Sequence, residues 1–415
     1  MKYLISFSRI FLGVVFVFSG LTKLIDPVGF GFVITEYLNA LGLSFFSPLS
    51  LLSGALVSAF EFVLGVSLLL GLQLRLTSLF TMLFMAFFTL LTLWTALFNP
   101  VQHCGCFGDA IILSNTETFL KNLVFFPFSI LLFIRRKHFT PISLNIREWS
   151  TIVLFGFAAL LLSLHCYRHL PLIDFTGFKV GNHIPEAMTV PDDAPRNQYE
   201  TIFTYQKEAK TKKFSLDNLP DSSWTYVSHK TKLIKAGAIP AIPHFDISAY
   251  SDNRYVTDSL LSIRGWVLFF TIPHVDKGHE KAFKKAGALY RQITEQSAIP
   301  FITISGSGET ATQSLLHQYG ITSPLFFSDP KSVYTMVRTN PGLMLLYDAS
   351  VVAKWSNIDI PSYQALERIL VQDWEIVSAK ARIKEKLSVE FFALFLILLL
   401  GGLHLTFRHL SKKKR

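Results

Sequence analysis

Two of the chain's three cysteines stand one residue apart in His103-Cys104-Gly105-Cys106-Phe107-Gly108-Asp109, a short polar break between strongly apolar stretches. Three thiols in 415 residues do not staple a fold, so the Cys-x-Cys pair needs its own explanation. A disulfide between residues two apart closes a small, tense ring. Gly105 helps the backbone reach the angles this needs, and strain of that kind makes the bond labile to exchange. His103 beside the pair would raise the thiolate fraction, which is the attacking species. Asp109 would orient His103 or end the loop. Two further roles remain open: a structural disulfide or idle thiols, and a soft ion such as Cu(I) or Zn(II) held by His103, Cys104 and Cys106. A closed zinc site wants four ligands, and His183 and His244 are too isolated to complete one.

The third thiol, Cys166, closes an apolar segment. It would act as a resolving thiol if the fold brings it within disulfide reach, below about 7 Å between Cα atoms, or else serve as a small buried filler. Glu61 lies inside the apolar run 57–63, where an ionised carboxylate costs about 2.5 to 3.5 kcal/mol on insertion scales. It reads as a proton relay for thiol or quinone chemistry, or as the partner of Arg9 or Lys23 joining the first two membrane helices. Lys23 and Asp26 alternatively cap the outer end of the first helix.

These residues are positioned by a membrane protein. Apolar residues make up 50% of the chain and charged residues only 16%, well under the roughly 25% of soluble domains. Six segments approach the ~20 apolar residues a spanning helix requires: 4–24, 49–72, 77–98, 118–134, 150–166 and 388–407. The first is too long for a signal-peptide core and lacks a cleavage site before Lys23, so it is expected to stay in the mature protein. Lys2, Arg9, Arg75, Arg135, Arg136, Lys137, Arg147, Arg408 and the Lys412-to-Arg415 tail all fall on one side of a six-span arrangement, which the positive-inside rule makes cytoplasmic. The 25–48 loop, the cysteine loop and residues 168–387 then face the opposite, oxidising side, where thiol pairs persist as disulfides. Much of the +10 net charge is thus an orientation signal, and no nucleic-acid partner is implied.

Residues 170–387 read as a soluble domain. Segments 199–205 and 212–216 form a hairpin-like front, followed by 224–227 and a Pro-rich passage. The continuous apolar run 265–272 suits a strand buried on both faces. A helix over 279–296, a strand over 301–305, a helix over 309–319, a hairpin of 342–347 with 351–355 and a closing helix over 362–371 complete an α/β order.

Phe269-Phe270-Thr271-Ile272-Pro273-His274, the later Asn340-Pro341-Gly342-Leu343-Met344-Leu345-Leu346-Tyr347 and the order of elements resemble the thioredoxin-like fold, and His244-Phe245-Asp246-Ile247 is similar to the front of its peroxiredoxin-type members. The family's Cys-x-x-Cys position here reads Pro273-His274-Val275-Asp276-Lys277. The resemblance therefore implies a binding platform without redox chemistry of its own, with Pro341 at the family's cis-proline position.

Arg9 to Pro27, with Arg9-Ile10-Phe11-Leu12-Gly13 and Ser19-Gly20-Leu21-Thr22-Lys23, resembles the opening of the DoxX family. The Glu61 helix with Cys104-Gly105-Cys106-Phe107-Gly108 is similar to its MauE branch, the methylamine-utilisation membrane proteins. The likeness covers about the first 135 residues. It implies a four-helix bundle of vitamin K epoxide reductase type, associated with disulfide or electron-transfer work. The expectation is a mixed fold, an α-helical polytopic bundle with an α/β thioredoxin-like soluble domain. Its parts are a membrane domain over 1–137, a loop and fifth span over 138–167, a β-rich lead-in over 168–243, the thioredoxin-like domain over 244–387, and the sixth span with its basic tail over 388–415. The expected function is a thiol-disulfide or electron-transfer component of the inner membrane. It would exchange with a periplasmic client or thiol partner, with a quinone as electron carrier and the bilayer around it. The rival class is a non-enzymatic scaffold or maturation factor whose ectodomain binds a client.

Overall fold

A computed structural model of the chain describes residues 2–101, 104–139, 145–190, 194–195, 198–207, 210–235, 237–243, 245–297 and 299–412. Among these, six helices are long and apolar enough to cross a membrane: Tyr3–Ile25, Ser44–Leu70, Leu74–Phe98, Asn115–His138, Asn145–Arg168 and Trp374–Leu403.

The bundle begins with α1 (Lys2–Ile25), α2 (Pro27–Ala40), α3 (Ser50–Leu70) and α4 (Leu74–Phe98). Lipid supplies no hydrophobic drive between helices, so close backbone approach has to hold α1 to α3. Gly65 permits it: a Cβ there would lie 2.6 Å from the Val17 nitrogen and 2.9 Å from the Gly13 carbonyl oxygen. After the extended segment β1 (Cys106–Asp109), α5 (Asn115–Arg135) packs along α4, with Asn122 Nδ2 donating to Thr92 Oγ1 at 3.1 Å. Then α6 (Asn145–Arg168) lies against α3, where the Phe62 and Phe155 rings meet at 6.3 Å.

One expectation is corrected here. The loop expected over 25–48 contains the helix α2, started by Asp26, whose Oδ1 accepts from the Gly29 N–H at 2.8 Å, and by Pro27 at its first position. Its glycines and aromatics masked the helical signal.

Beyond the bundle, α7 (Ile184–Ala187) leads to a separate antiparallel sheet of β2 (Gln198–Lys207), β3 (Lys210–Ser215) and β4 (Thr225–Lys235), ordered β3-β2-β4. The expected front hairpin is present, and β4 runs well past the 224–227 segment. The main domain then follows as β5 (Ser248–Ala249), α8 (Thr257–Leu261), β6 (Trp266–Ile272), α9 (Glu280–Gln296), β7 (Phe301–Ser305), α10 (Glu309–Gln318), β8 (Leu325–Phe327), α11 (Pro330–Met336), β9 (Gly342–Tyr347), β10 (Ser350–Trp355) and α12 (Tyr363–Leu370).

Its six strands are ordered β10-β9-β6-β7-β8-β5, with β6, β7 and β8 parallel and β9, β10 and β5 antiparallel to their neighbours. Alternate residues of β6 feed two cores: Val267 and Phe269 join Phe178, Phe245 and Met336 on one face, while Leu268 and Phe270 join Phe283 and Leu366 on the other. The unbroken apolar run of β6 follows from that double burial. The last helix, α13 (Trp374–Lys412), starts well before the expected 388–407 span.

Candidate functional site

Between α4 and α5 the chain turns back through the cysteine loop, with Cys104 buried and Cys106 half-buried, and four side chains shape that turn. Asn115 Nδ2, at the start of α5, donates to the Val101 carbonyl at 2.9 Å and to Asn99 Oδ1 at 3.1 Å. Ser114 caps α5 in a reciprocal box with Glu117. Ser19 of α1 donates to the Cys106 carbonyl at 2.6 Å. Gly105 takes φ +66°, and a Cβ there would stand 2.7 Å from Val33 of α2. Only glycine meets both demands.

The result is a thiol pair with its sulfurs 3.0 Å apart and unbonded. Cys104 donates to Cys106. That hydrogen bond, helped by the Lys121 and Lys23 charges, lowers the Cys106 pKa to about 6 and overcomes the opposing effect of burial. The same bond, followed by burial, pushes the Cys104 thiol up. Cys104 packs with Val101 and Tyr37. The Tyr37 hydroxyl lies beside the Cys104 thiol, and burial, followed by that thiol, raises its pKa. Lys121 stands 4.2 Å over the Phe107 ring, next to Cys106 in sequence.

Two cavities flank the pair. The inner one is bordered by both cysteines, Lys23, Glu61 and the Phe84 and Phe88 rings. Lys23 Nζ and Glu61 Oε2 pair there at 2.5 Å, each side chain about nineteen-twentieths buried. Of the alternatives open for Glu61, the Lys23 pair forms, and Arg9 Nε is buried with no partner among the described residues. Lys23 therefore points into the bundle instead of capping α1.

The outer cavity, about 140 Å3, is bordered by Cys106, Asp109, Glu36, Lys331 and Arg338. It lies where the six-stranded domain rests on the bundle. Arg338 donates through Nε and Nη2 to Asp26 Oδ2 at 3.1 and 3.0 Å, and through Nη2 to Asp109 Oδ2 at 2.6 Å. Arg338 and Asp26 are each 4% exposed. Burial draws the guanidinium pKa down, but Asp26 and Asp109 more than restore it; burial of Asp26 in turn outweighs Arg338 and raises that carboxyl. Beside this contact Lys331 pairs with Glu36, and Tyr334 meets the Phe32 ring at 5.5 Å. The helix α2 is thus the platform on which α11 and the Arg338 segment dock.

Asp109 was expected to orient His103 or to end its loop; its carboxylate accepts from Arg338, 229 residues on, and the expectation about His103 falls outside the described residues. Nothing in the local sequence signals that partner. His103 lies outside the described residues, as does His244. Among the described residues no group of three His, Cys, Asp or Glu side chains is placed to hold a metal ion. Cys166 is a free thiol buried at the end of α6 and borders neither cavity beside the pair. The stretch 273–277 lacks cysteine, and the Asn340–Pro341 peptide bond is cis.

Residues 1–135 match the family model of the methylamine utilisation protein MauE. These residues form a MauE-like membrane domain. A second match covers 199–236, a domain of unknown function (DUF8463), and corresponds to the three-stranded sheet inserted between the MauE-like domain and the six-stranded domain. No curated protein and no solved structure matches the chain. With five apolar helices up to residue 168 and a sixth over 374–403 among the described residues, the chain is a multi-pass membrane protein whose MauE-like domain carries the cysteine pair.

Proposed function

We propose that this protein is a thiol-disulfide exchange component of the inner membrane, with Cys106 as the sulfur that meets the partner. The observation that carries this reading is that Cys106 borders both the inner cavity and the outer pocket beneath the soluble domain, with a thiol at 3.0 Å to complete the exchange. Its lowered pKa supplies thiolate at neutral pH.

In the reducing direction the Cys106 thiolate attacks a partner disulfide, and the partner's leaving sulfur takes a proton. Cys104 then loses its proton and attacks Cys106, which releases the second partner sulfur as a thiol. The pair gives up two electrons and the Cys104 proton and becomes a disulfide; the partner gains the two electrons, that proton and one from water and becomes a dithiol. The reverse reaction uses the same atoms.

The soluble domain is read as thioredoxin-like on its strand order and doubly buried β6, and as the surface that receives the partner; without cysteines at 273–277 it holds rather than reacts. The positive-inside pattern supports placing it in the periplasm. Arg338 ties it to the same end of the bundle as the cysteine loop, which agrees with that placement. For a quinone, the aromatic lining of the inner cavity is chemically suitable, but its free volume of about 40 Å3 holds water and excludes a ring. The electron route is therefore not drawn through it.

Trapping tests the proposal. In Cys104→Ser the remaining Cys106 should accumulate a mixed disulfide with a periplasmic protein in cells quenched with an alkylating agent, and Cys106→Ser should trap far less. No adduct in Cys104→Ser, together with unaltered cell behaviour when both sulfurs are replaced, would shift the reading to a scaffold.

A further inference from the structure

On the α6 and α9 side of the Arg338 contact, a cleft of about 920 Å3 opens between the bundle and the soluble domain. Its lining includes the apolar residues Val28, Leu164 and Ile358. Leu164 and Tyr167 at its lip are 50% and 43% exposed. The lining is also cationic, with Arg168, Lys277, Lys281 and Lys285. Lys285 spends its ammonium on the Ile358 carbonyl at 2.7 Å, while Arg168, Lys277 and Lys281 have no ion pair among the described residues. The carboxylate in this lining, Glu280, is bound to Lys284 at 2.6 Å. The start of the 17-residue helix α9 opens on the same space and adds its positive end. Asn340 also borders the cleft and is 7% exposed. Its Nδ2 donates to the His274 carbonyl, but its Oδ1 has no partner among the described residues.

We propose that this cleft holds the headgroup of an anionic phospholipid of the phosphatidylglycerol type. The level is right, since the α6 span ends at Arg168, where hydrocarbon gives way to headgroups. The lip residues Leu164 and Tyr167 offer an acyl chain an apolar surface, and aromatic side chains settle at this depth. The phosphate meets Arg168, Lys277 and Lys281. A zwitterionic headgroup cancels its own charge and gains little from three cations. An acidic peptide would match the charge but leave the apolar lip bare. A seated lipid would bridge α6 and α9 and hold the soluble domain on the bundle.

The test uses the full chain in mild detergent, with phosphatidylglycerol and phosphatidylcholine of matched acyl chains as probes and native mass spectrometry as the readout. Wild type should retain phosphatidylglycerol over phosphatidylcholine, and Arg168→Gln/Lys277→Gln/Lys281→Gln should lose this preference by on the order of a hundredfold at the usual strength of one cation near an anionic surface. Arg168→Lys/Lys277→Arg/Lys281→Arg should keep it, which separates charge loss from misfolding. Lys210→Gln/Lys212→Gln/Lys213→Gln removes equal charge from β3 and should leave it unchanged. Equal retention of both lipids by wild type, a loss below about tenfold in the glutamine variant, or an equal loss in the β3 variant overturns the site. Competition by soluble glycerophosphate as strong as by the lipid overturns the lipid as ligand.

Discussion

Replacing Arg338 by methionine should unseat the soluble domain from the cysteine loop. The guanidinium is 4% exposed and satisfies two carboxylates at once, Asp26 at 3.0 Å and Asp109 at 2.6 Å. Methionine fills much of the volume and supplies none of the charge. Removing one member of a buried pair costs about 3 to 5 kcal/mol, because the surviving charge is stranded. Here most of the cost falls on Asp26, 4% exposed, since Asp109 is 39% exposed at its side chain and keeps its water. If that cost is met by undocking, the open population rises by up to about two to three and a half powers of ten. Asp26, whose pKa burial already raises, can relieve part of it by taking a proton.

Cys106 borders the pocket under Arg338, so its reaction with a charged, membrane-impermeant maleimide reports the opening. The rate is best compared in a Cys104→Ser/Cys166→Ser background, with each variant's rate read at its own high-pH plateau, to keep pKa effects out of it. Arg338→Met should speed labelling by at least about tenfold. Adding Asp26→Asn and Asp109→Asn to Arg338→Met should restore most of the protection, because no charge is then stranded. A labelling rate within about threefold of the parent, or no recovery in the combined variant, refutes the idea that this ion triad holds the two domains together.

Three further expectations follow from the same geometry. Alkylation of Cys106 in the chain with Cys104 present should rise with pH through about 6, because thiolate replaces thiol there, and be level by neutrality; a midpoint near the ordinary thiol value of ~8.5 would contradict the Cys104 hydrogen bond and the Lys121 field, and Lys121→Met should move the midpoint up. Glu61→Gln should destabilise the bundle by about 3 to 5 kcal/mol by stranding Lys23, measured by unfolding in mixed micelles, and Lys23→Met/Glu61→Leu should recover most of it; equal losses in the single and double variants would show that the pair does not act as a unit. Gly105→Ala should cost about 1 to 2 kcal/mol from its left-handed backbone and also displace the loop from Val33, seen as slower trapping at Cys106; full exchange activity in this variant would mean that the loop geometry is not demanding.

Membrane class, the number of long apolar helices and the cysteine loop are legible from composition and from one-dimensional runs, since crossing a bilayer demands about 20 apolar residues in sequence and little else. The doubly buried β6 is readable for a similar reason: burial on both faces removes polar residues from consecutive positions. The hidden helix α2 shows the limit of that reading, because the residues that make it a platform, Asp26, Phe32 and Glu36, do not follow one apolar stripe and take their roles from α11 and Arg338.

What the chain determined alone was which residues are able to do chemistry; Cys104, Cys106 and Glu61 stand out wherever they are read. What only tertiary structure decided was who meets whom. Lys23 reaches Glu61 across 38 residues, Arg338 reaches Asp109 across 229, and Cys106 rather than Cys104 comes to border both cavities. Ion pairs of this kind leave no periodic trace in a sequence. Their partners are chosen by burial, which makes an unpaired charge expensive only after the fold has closed around it.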